Sequence, residues 1–147
     1  MNIVYFKPTD SIDLKWMIGQ TIDKVKLNGP AVWVFQLREG AAISIESPWR
    51  ILKTGKVGIS IEDHQQQYGL PAPLDAEKLA GELLLKHRIV AAEIRKGTAD
   101  LIITLEGDLE LQALSFSTGY ESWQISDSQG KCILVAQGGG QICAPEE

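Results

Sequence analysis

Cysteine and long apolar runs are both scarce in this sequence. Its two cysteines, Cys132 and Cys143, are too few for a disulfide framework and match no common zinc or redox spacing, so we expect free thiols. No run of about 18 apolar residues is present to span a membrane. Lys7 and Pro8 interrupt the first apolar stretch, which is not the layout of a signal peptide. These absences predict a cytoplasmic protein with no membrane partner.

Positive charge is scarce as well. The 14 Lys and Arg residues are outnumbered by 19 Asp and Glu residues, which gives a net charge of −5, and no stretch is rich in Lys or Arg. Proteins that bind nucleic acid draw affinity from clustered cations against the phosphate backbone. We therefore predict no nucleic-acid partner, and we expect an acidic surface that meets a more basic protein.

Familiar catalytic and ligand-binding motifs are missing. The serines lie in no Gly-x-Ser-x-Gly elbow, and no Gly-Lys-Ser/Thr follows the glycine triplet 138–140 as in a phosphate loop. The one local group of metal-ligand types, Glu62-Asp63-His64, consists of adjacent residues, which seldom point at one ion. We predict no metal site, no cofactor and no catalytic residues, which weighs against an enzyme.

A repeated order of short strand-like segments is what the sequence does contain. The 147 residues, 44% of them hydrophobic, suit a single domain over 1–147. Within that domain we predict an internal repeat of about 10–61 and 75–136, because the two stretches align with small gaps. The polar and proline-rich stretch 62–74 is the expected exposed connection.

Each copy is predicted to begin with a helix. The first follows the cap-type residues Thr9-Asp10-Ser11, places Ile12 and Trp16 on one side, and ends before Gly19. The second spans 76–86 after Asp75. Alternating strands follow each helix, and a single such sheet cannot bury its own apolar face. The expected fold class is therefore α+β: two helix-plus-antiparallel-meander repeats packed as a strand-rich, pseudo-symmetric roll or sandwich.

The two copies match most informatively at a Glu-Ser-Trp element. Glu46-Ser47-Pro48-Trp49-Arg50 in the first copy is echoed by Glu121-Ser122-Trp123 in the second. The tryptophans either pack in the core at the end of a strand or belong to a recognition surface, since Trp and Arg carry binding energy when desolvated. The candidate binding residues are Glu46, Trp49, Arg50, Glu121 and Trp123.

The glycine triplet Gly138-Gly139-Gly140 is a second candidate site. Three consecutive glycines can expose backbone N–H groups as a nest that binds an anion. The alternative interpretation is a bulge or tight turn before a final strand.

Several of these segments together resemble a family of small bacterial proteins. They are residues 119–125 (Gly-Tyr-Glu-Ser-Trp-Gln-Ile), Gly130, the triplet 138–140 and the Ser-Pro-Trp-Arg element at 47–50. That family is uncharacterised and includes proteins similar to immunity proteins, which bind and block a partner toxin. The resemblance implies a bacterial binding protein and assigns no catalytic residue. We therefore predict a non-enzymatic, immunity-like protein-binding module. The alternative is a small-ligand-binding or homo-oligomeric scaffold, such as a homodimer, that uses the groove between the repeats.

Overall fold

Two antiparallel β-sheets pack face to face in the computed structural model, which describes residues 4–145 and the side chains of residues 6–144. The described residues contain one α-helix, α1 (Ala76–Leu84), and 3₁₀ turns at Thr9–Ser11, Lys15–Met17, Ile61–Asp63 and Gly138–Gly140. The strands are β1 (Val4–Lys7), β2 (Ile22–Asn28), β3 (Val32–Leu37), β4 (Ala42–Ile45), β5 (Trp49–Lys53), β6 (Lys56–Ser60), β7 (Ile89–Ile94), β8 (Leu101–Leu105), β9 (Leu109–Ala113), β10 (Trp123–Ser126), β11 (Cys132–Gln137) and β12 (Gln141–Pro145).

The chain exchanges hairpins between the two sheets. The seven-stranded sheet has the order β1-β12-β11-β10-β4-β3-β2, and the five-stranded sheet has the order β6-β5-β9-β8-β7. The hairpin β5–β6 follows β4 in the chain but pairs with β9, whereas the hairpin β10–β11 follows β9 but pairs with β4. Each sheet therefore contains strands from both halves of the chain.

The α+β prediction, with a helix at the start of each repeat, is wrong, because the protein is a mostly-β sandwich. Within the predicted helix 12–18, the backbone forms only the 3₁₀ turn Lys15–Met17. The N–H of Gly19 then donates to the carbonyl of Ile89 in β7 at 2.8 Å. This N–H group is therefore not available for the hydrogen bond with which a helix would continue. A segment of seven residues is too short for its apolar spacing to distinguish an α-helix from such a turn.

The core lies between the sheets and follows the strand register. Side chains alternate between the two faces of a strand, so residues paired across strands share a face. One buried row of paired residues crosses the seven-stranded sheet, through Val25, Phe35, Ile43, Ile125 and Leu134. The corresponding row of the five-stranded sheet runs through Ile59, Ile51, Leu111 and Ile103.

An aromatic cluster within this core joins the two sheets. Trp33 and Phe35 of β3 meet Trp49 of β5 edge to face, with ring centroids 5.0 Å and 5.2 Å apart. His64 packs against Trp33 at 5.0 Å, and its Nδ1 accepts a hydrogen bond from the N–H of Ala76 at 3.1 Å. Residues 65–73, which follow, are exposed. The connection between the halves is therefore fastened to the core at His64.

Helix α1 covers the outer edge of β2. Its buried residues Ala76, Ala80 and Leu84 share one face of the helix. The Glu77 carboxylate accepts a hydrogen bond from the N–H of Leu27 in β2 at 2.9 Å. A free strand edge invites pairing with other chains, and here the helix supplies a partner for one of its N–H groups.

The N-cap of α1 gives a first prediction. The Asp75 carboxylate accepts a hydrogen bond from the N–H of Lys78 at 3.2 Å. We expect Asp75→Ala to lower the free energy of unfolding by about 1 kcal/mol, because a helix N–H loses its acceptor. Urea denaturation followed by circular dichroism measures this loss. Asp75→Asn is the matched control, since asparagine caps equally well; a loss as large in Asp75→Asn would contradict the capping role.

Candidate functional site

The two Glu-Ser-Trp elements lie where the chain crosses from one sheet to the other. Residues 46–48 connect β4 to β5, and residues 114–122 connect β9 to β10. The two crossovers are hydrogen-bonded to each other: the carbonyl of Ser122 accepts from the N–H of Glu46 at 2.9 Å and of Ser47 at 3.2 Å. This pairing brings Glu46 and Glu121 into the lining of the same cavity.

Both tryptophans of these elements are core residues. Trp49 and Trp123 are each 1% exposed. The indole N–H of Trp123 donates to the carbonyl of Ala99 at 2.8 Å, whereas the indole N–H of Trp49 has no acceptor within the described part of the chain. Among the predicted binding residues, the structure thus leaves Glu46, Arg50 and Glu121 at the surface or partly exposed and buries the two indoles.

The serine hydroxyls of the two elements also differ in whether they are hydrogen-bonded. The Ser122 hydroxyl lies 2.8 Å from the Ser115 hydroxyl, and the N–H of Ser115 donates to the carboxylate of Asp100 at 2.8 Å. The Ser47 hydroxyl is buried and, over residues 6–144, has no hydrogen-bond partner. The serine hydroxyl and the indole N–H of the second element are therefore both hydrogen-bonded within the protein. In the first element, the Ser47 hydroxyl and the Trp49 indole N–H have no partner among the described residues.

The loop of the second crossover carries two exposed aromatic side chains, Phe116 (76% exposed) and Tyr120 (83% exposed). Its backbone is held in place, since the Ser117 hydroxyl accepts from the N–H groups of Gly119 and Tyr120 at 3.0 Å and 2.8 Å. The carbonyl of Ser117 also accepts from the N–H of Gly139 at 2.9 Å. The aromatic rings therefore project from an ordered loop.

Two cavities lie on either side of Phe116. The Glu46 cavity, of about 350 Å³, is lined by Glu46, Ser47, Tyr120 and Glu121 together with Pro48, Phe116, Ser117 and Ser122. The Arg50 cavity, of about 400 Å³, shares Pro48 and Phe116 and adds Trp49, Arg50, Glu62 and Asp63 among its lining. We call the surface formed by Glu46, Pro48, Arg50, Phe116, Tyr120 and Glu121 the Phe116 face.

The charged groups of the two cavities are arranged differently. The Glu46 cavity has two glutamates and no Lys or Arg in its lining. In the Arg50 cavity, the Arg50 Nε–H donates to the Gln112 side chain at 2.7 Å. Asp63 there accepts from the N–H of Ser60 at 2.9 Å and from the hydroxyl of Tyr68 at 3.0 Å. Free carboxylates therefore occur in both cavities, those of Glu46 and Glu121 in one and that of Glu62 in the other.

The glycine triplet is a place of close backbone contact. A Cβ atom at Gly138 would overlap the backbone of Gly119, and one at Gly140 would overlap the carbonyl of Gly97. The Gly139 N–H, one of the groups of the predicted anion nest, already donates to Ser117. The triplet thus supports the loop that carries the Phe116 face.

The other residues with metal-binding or reactive side chains are hydrogen-bonded to neighbours or have a shifted pKa. His64 and Asp63 bond to different neighbours, and no group of three or more metal-ligating side chains occurs in the described residues. Burial raises the pKa of the Cys132 and Cys143 thiols, which keeps them protonated and weakly nucleophilic. The hydrogen bond that Tyr68 donates to Asp63 raises the pKa of the Tyr68 hydroxyl.

Phe116 and Tyr120 are exposed residues of this surface that no sequence motif singled out. Their signal is an aromatic pair within Ser115-Phe116-Ser117-Thr118-Gly119-Tyr120, a break between two alternating strands. Ser, Thr and Gly favour loops, and loops positioned by a rigid scaffold often carry binding residues. An aromatic residue in such a stretch is a candidate for exposure.

Comparison with known proteins gave no match to a family model, a curated protein or a solved structure. The resemblance to immunity-like bacterial proteins therefore stays a prediction. Across residues 4–145, no helix has both the length and the apolar character required to cross a membrane.

Proposed function

We propose that this protein is a binding module whose partner is a basic protein, in the manner expected of an immunity-like protein. It contacts that partner through the Phe116 face. The observation that carries the proposal is the exposure of Phe116 and Tyr120 on a loop whose backbone is hydrogen-bonded in place.

Exposed aromatic rings on an ordered loop favour protein recognition for two reasons. Large aromatic side chains contribute much of the binding energy when a partner covers them. Because the loop is already ordered in the free protein, little conformational entropy is lost on binding. Phe116 and Tyr120 lie beside two cavities that can receive side chains of the partner.

The charge of the face indicates the chemistry of the partner. Glu46 and Glu121 flank the rings, and the whole chain carries a net charge of −5. Complementary charge raises the rate of association and disfavours acidic partners. A basic surface therefore suits this face best, and association should slow as salt rises.

The proposal is tested by comparing variants in affinity isolation. We expect Phe116→Ser/Tyr120→Ser to lose the protein partner that the unaltered protein retains, with affinity reduced at least about 100-fold, since each hot-spot residue contributes about 2 kcal/mol or more. Both side chains are exposed, so the melting temperature should change little.

Val90→Ser is the matched control. Val90 is 48% exposed and lies in β7, at the edge of the five-stranded sheet away from β5. This variant should retain the partner, and retention should weaken with added salt. Wild-type affinity in the double variant, or equal losses in the double variant and in Val90→Ser, would contradict the proposal.

A second candidate function is small-ligand binding in the Arg50 cavity. Its volume of about 400 Å³ lies within the range of ligand sites, and its lining includes the phenyl ring of Phe116 and the guanidinium group of Arg50. Native mass spectrometry of the purified protein distinguishes the two functions. An anionic small molecule that is retained by the unaltered protein and lost from Arg50→Gln would favour this site, and a self-associated species would favour a homodimer.

A further inference from the structure

We propose that the Arg50 cavity binds a free α-amino acid with an apolar side chain. This inference rests on the second candidate function, because it names the class of small ligand for the same cavity. It does not depend on a protein partner of the Phe116 face.

The first support is the guanidinium group of Arg50, which is held in place and is not neutralised. Its Nε–H donates to the Gln112 side chain at 2.7 Å, and the Gln112 amide donates to the Glu110 carboxylate at 2.6 Å. Gln112 is only 6% exposed, so its packing fixes this chain of hydrogen bonds. Over residues 6–144, Arg50 forms no salt bridge and its two Nη groups have no hydrogen-bond partner.

The unpaired end of this guanidinium group is accessible to solvent. Among the described residues, the buried polar side-chain atoms without a partner are the Ser47 hydroxyl and the Trp49 indole N–H, so the unpaired Nη groups of Arg50 are not buried. Two N–H groups of a guanidinium match the two oxygens of a carboxylate. The carboxylate of a ligand in the cavity can therefore reach Arg50.

The second support is a negative charge in the same cavity. Glu62 is exposed, lines the cavity and forms no salt bridge within residues 6–144, whereas Asp63 accepts hydrogen bonds from Ser60 and Tyr68. Glu62 would repel a simple anion and Arg50 would repel a simple cation. An α-amino acid carries one carboxylate and one ammonium group at neutral pH, so it suits both residues.

The third support is the apolar part of the lining. Val57 is 55% exposed and Phe116 is 76% exposed, and Pro48, Ile61 and Leu114 line the cavity with them. A ligand that covers these side chains removes apolar surface from water. The volume of about 400 Å³ lies near the lower end of the range for ligand sites, which favours a small ligand. These features together favour an apolar side chain on the amino acid.

The test adds L-phenylalanine or L-leucine to the folded ¹⁵N-labelled protein and follows the amide signals by NMR. We expect both to shift the signals of Arg50, Val57, Glu62 and Phe116 saturably. L-Serine, which lacks the apolar side chain, should bind at least about 5-fold more weakly. N-acetyl-L-phenylalanine lacks the positive charge and L-phenylalanine amide lacks the carboxylate, so each should also bind at least about 5-fold more weakly than L-phenylalanine.

Variants then assign the site. Arg50→Gln should weaken binding of L-phenylalanine at least about 10-fold. Glu62→Gln should weaken it at least about 5-fold and should strengthen binding of N-acetyl-L-phenylalanine, because a repulsion of its carboxylate is removed. Glu62 is exposed, so this variant tests the site without disturbing the core.

Arg38→Gln is the matched control. It removes an exposed guanidinium group between β3 and β4, outside the cavity lining, and should leave binding unchanged. The inference is overturned by the absence of a saturable shift with both amino acids, by equal binding of L-phenylalanine and its N-acetyl derivative, or by equal losses in Arg38→Gln and Arg50→Gln.

Failure of this inference is distinguishable from failure of the candidate function on which it rests. If native mass spectrometry shows an anion that is retained through Arg50 while neither amino acid binds, the ligand class is wrong and the cavity remains a ligand site. If neither result is obtained, both are wrong. Loss of the protein partner from Phe116→Ser/Tyr120→Ser would support the Phe116 face in either case.

Discussion

Gly140→Ala is expected to destabilise the fold by about 2–5 kcal/mol, more than most single substitutions. Gly140 has a φ of +77°, where an alanine costs about 1–2 kcal/mol. Its Cβ would also overlap the carbonyl of Gly97, and relieving such an overlap costs about 1–3 kcal/mol. Urea denaturation followed by tryptophan fluorescence measures the sum.

Gly130→Ala separates the two causes. Gly130 has a similar φ of +81°, but nothing lies within 4 Å of the position that its Cβ would occupy. This variant should therefore show only the backbone cost of about 1–2 kcal/mol. If Gly140→Ala and Gly130→Ala lose the same stability, the close contact between Gly140 and Gly97 is not a constraint on the folded protein.

Trp49→Ala and Trp123→Ala should each lower the free energy of unfolding by about 3–5 kcal/mol, because each leaves a large cavity in a well-packed core. Both indoles are 1% exposed, and Trp49 also contacts Trp33 and Phe35 across the sheets. Circular dichroism during urea denaturation measures the loss. Unchanged unfolding with lost partner binding would instead place these residues in the recognition surface.

The corresponding phenylalanine variants test the difference between the two halves of the chain. Trp123→Phe removes the hydrogen bond to Ala99, worth about 0.5–1.5 kcal/mol, whereas Trp49→Phe removes an N–H that has no acceptor in the described residues. Trp123→Phe should therefore be the more destabilising of the two. Equal losses would indicate that the Trp49 indole is also hydrogen-bonded, for example to a buried water.

Helix α1 was predictable because its signals are local. Asp75 caps it, and apolar residues recur at helical spacing along it, so the prediction over 76–86 agrees with the observed Ala76–Leu84 apart from its last two residues. The predicted helix at 12–18 had weaker signals of the same kind. There the hydrogen bonds between residues 19–20 and Ile89 decided the backbone, and Ile89 lies far away in the sequence.

The Glu-Ser-Trp correspondence was visible in the sequence, but its structural role was not. Sequence similarity places Glu46 and Glu121 at equivalent positions of two segments, but it does not predict that the two residues lie close together in the folded protein. They adjoin because the hairpins β5–β6 and β10–β11 exchange sheets and bring the two crossovers together. No local pattern encodes that exchange, since either hairpin could extend either sheet with the same alternation.

By itself the sequence determined the properties that depend on neighbouring residues. These are the alternation of strands such as β4, the cap of α1, the glycine turns at Gly40 and Gly107, and the acidic charge. Only the tertiary structure decided which sheet each hairpin joins, that Trp49 is buried, and that Phe116 is exposed. The physical reason is the sequence distance over which each kind of interaction acts. Strand alternation and capping act over a few residues, whereas sheet membership and burial follow from the pairing and packing of distant segments.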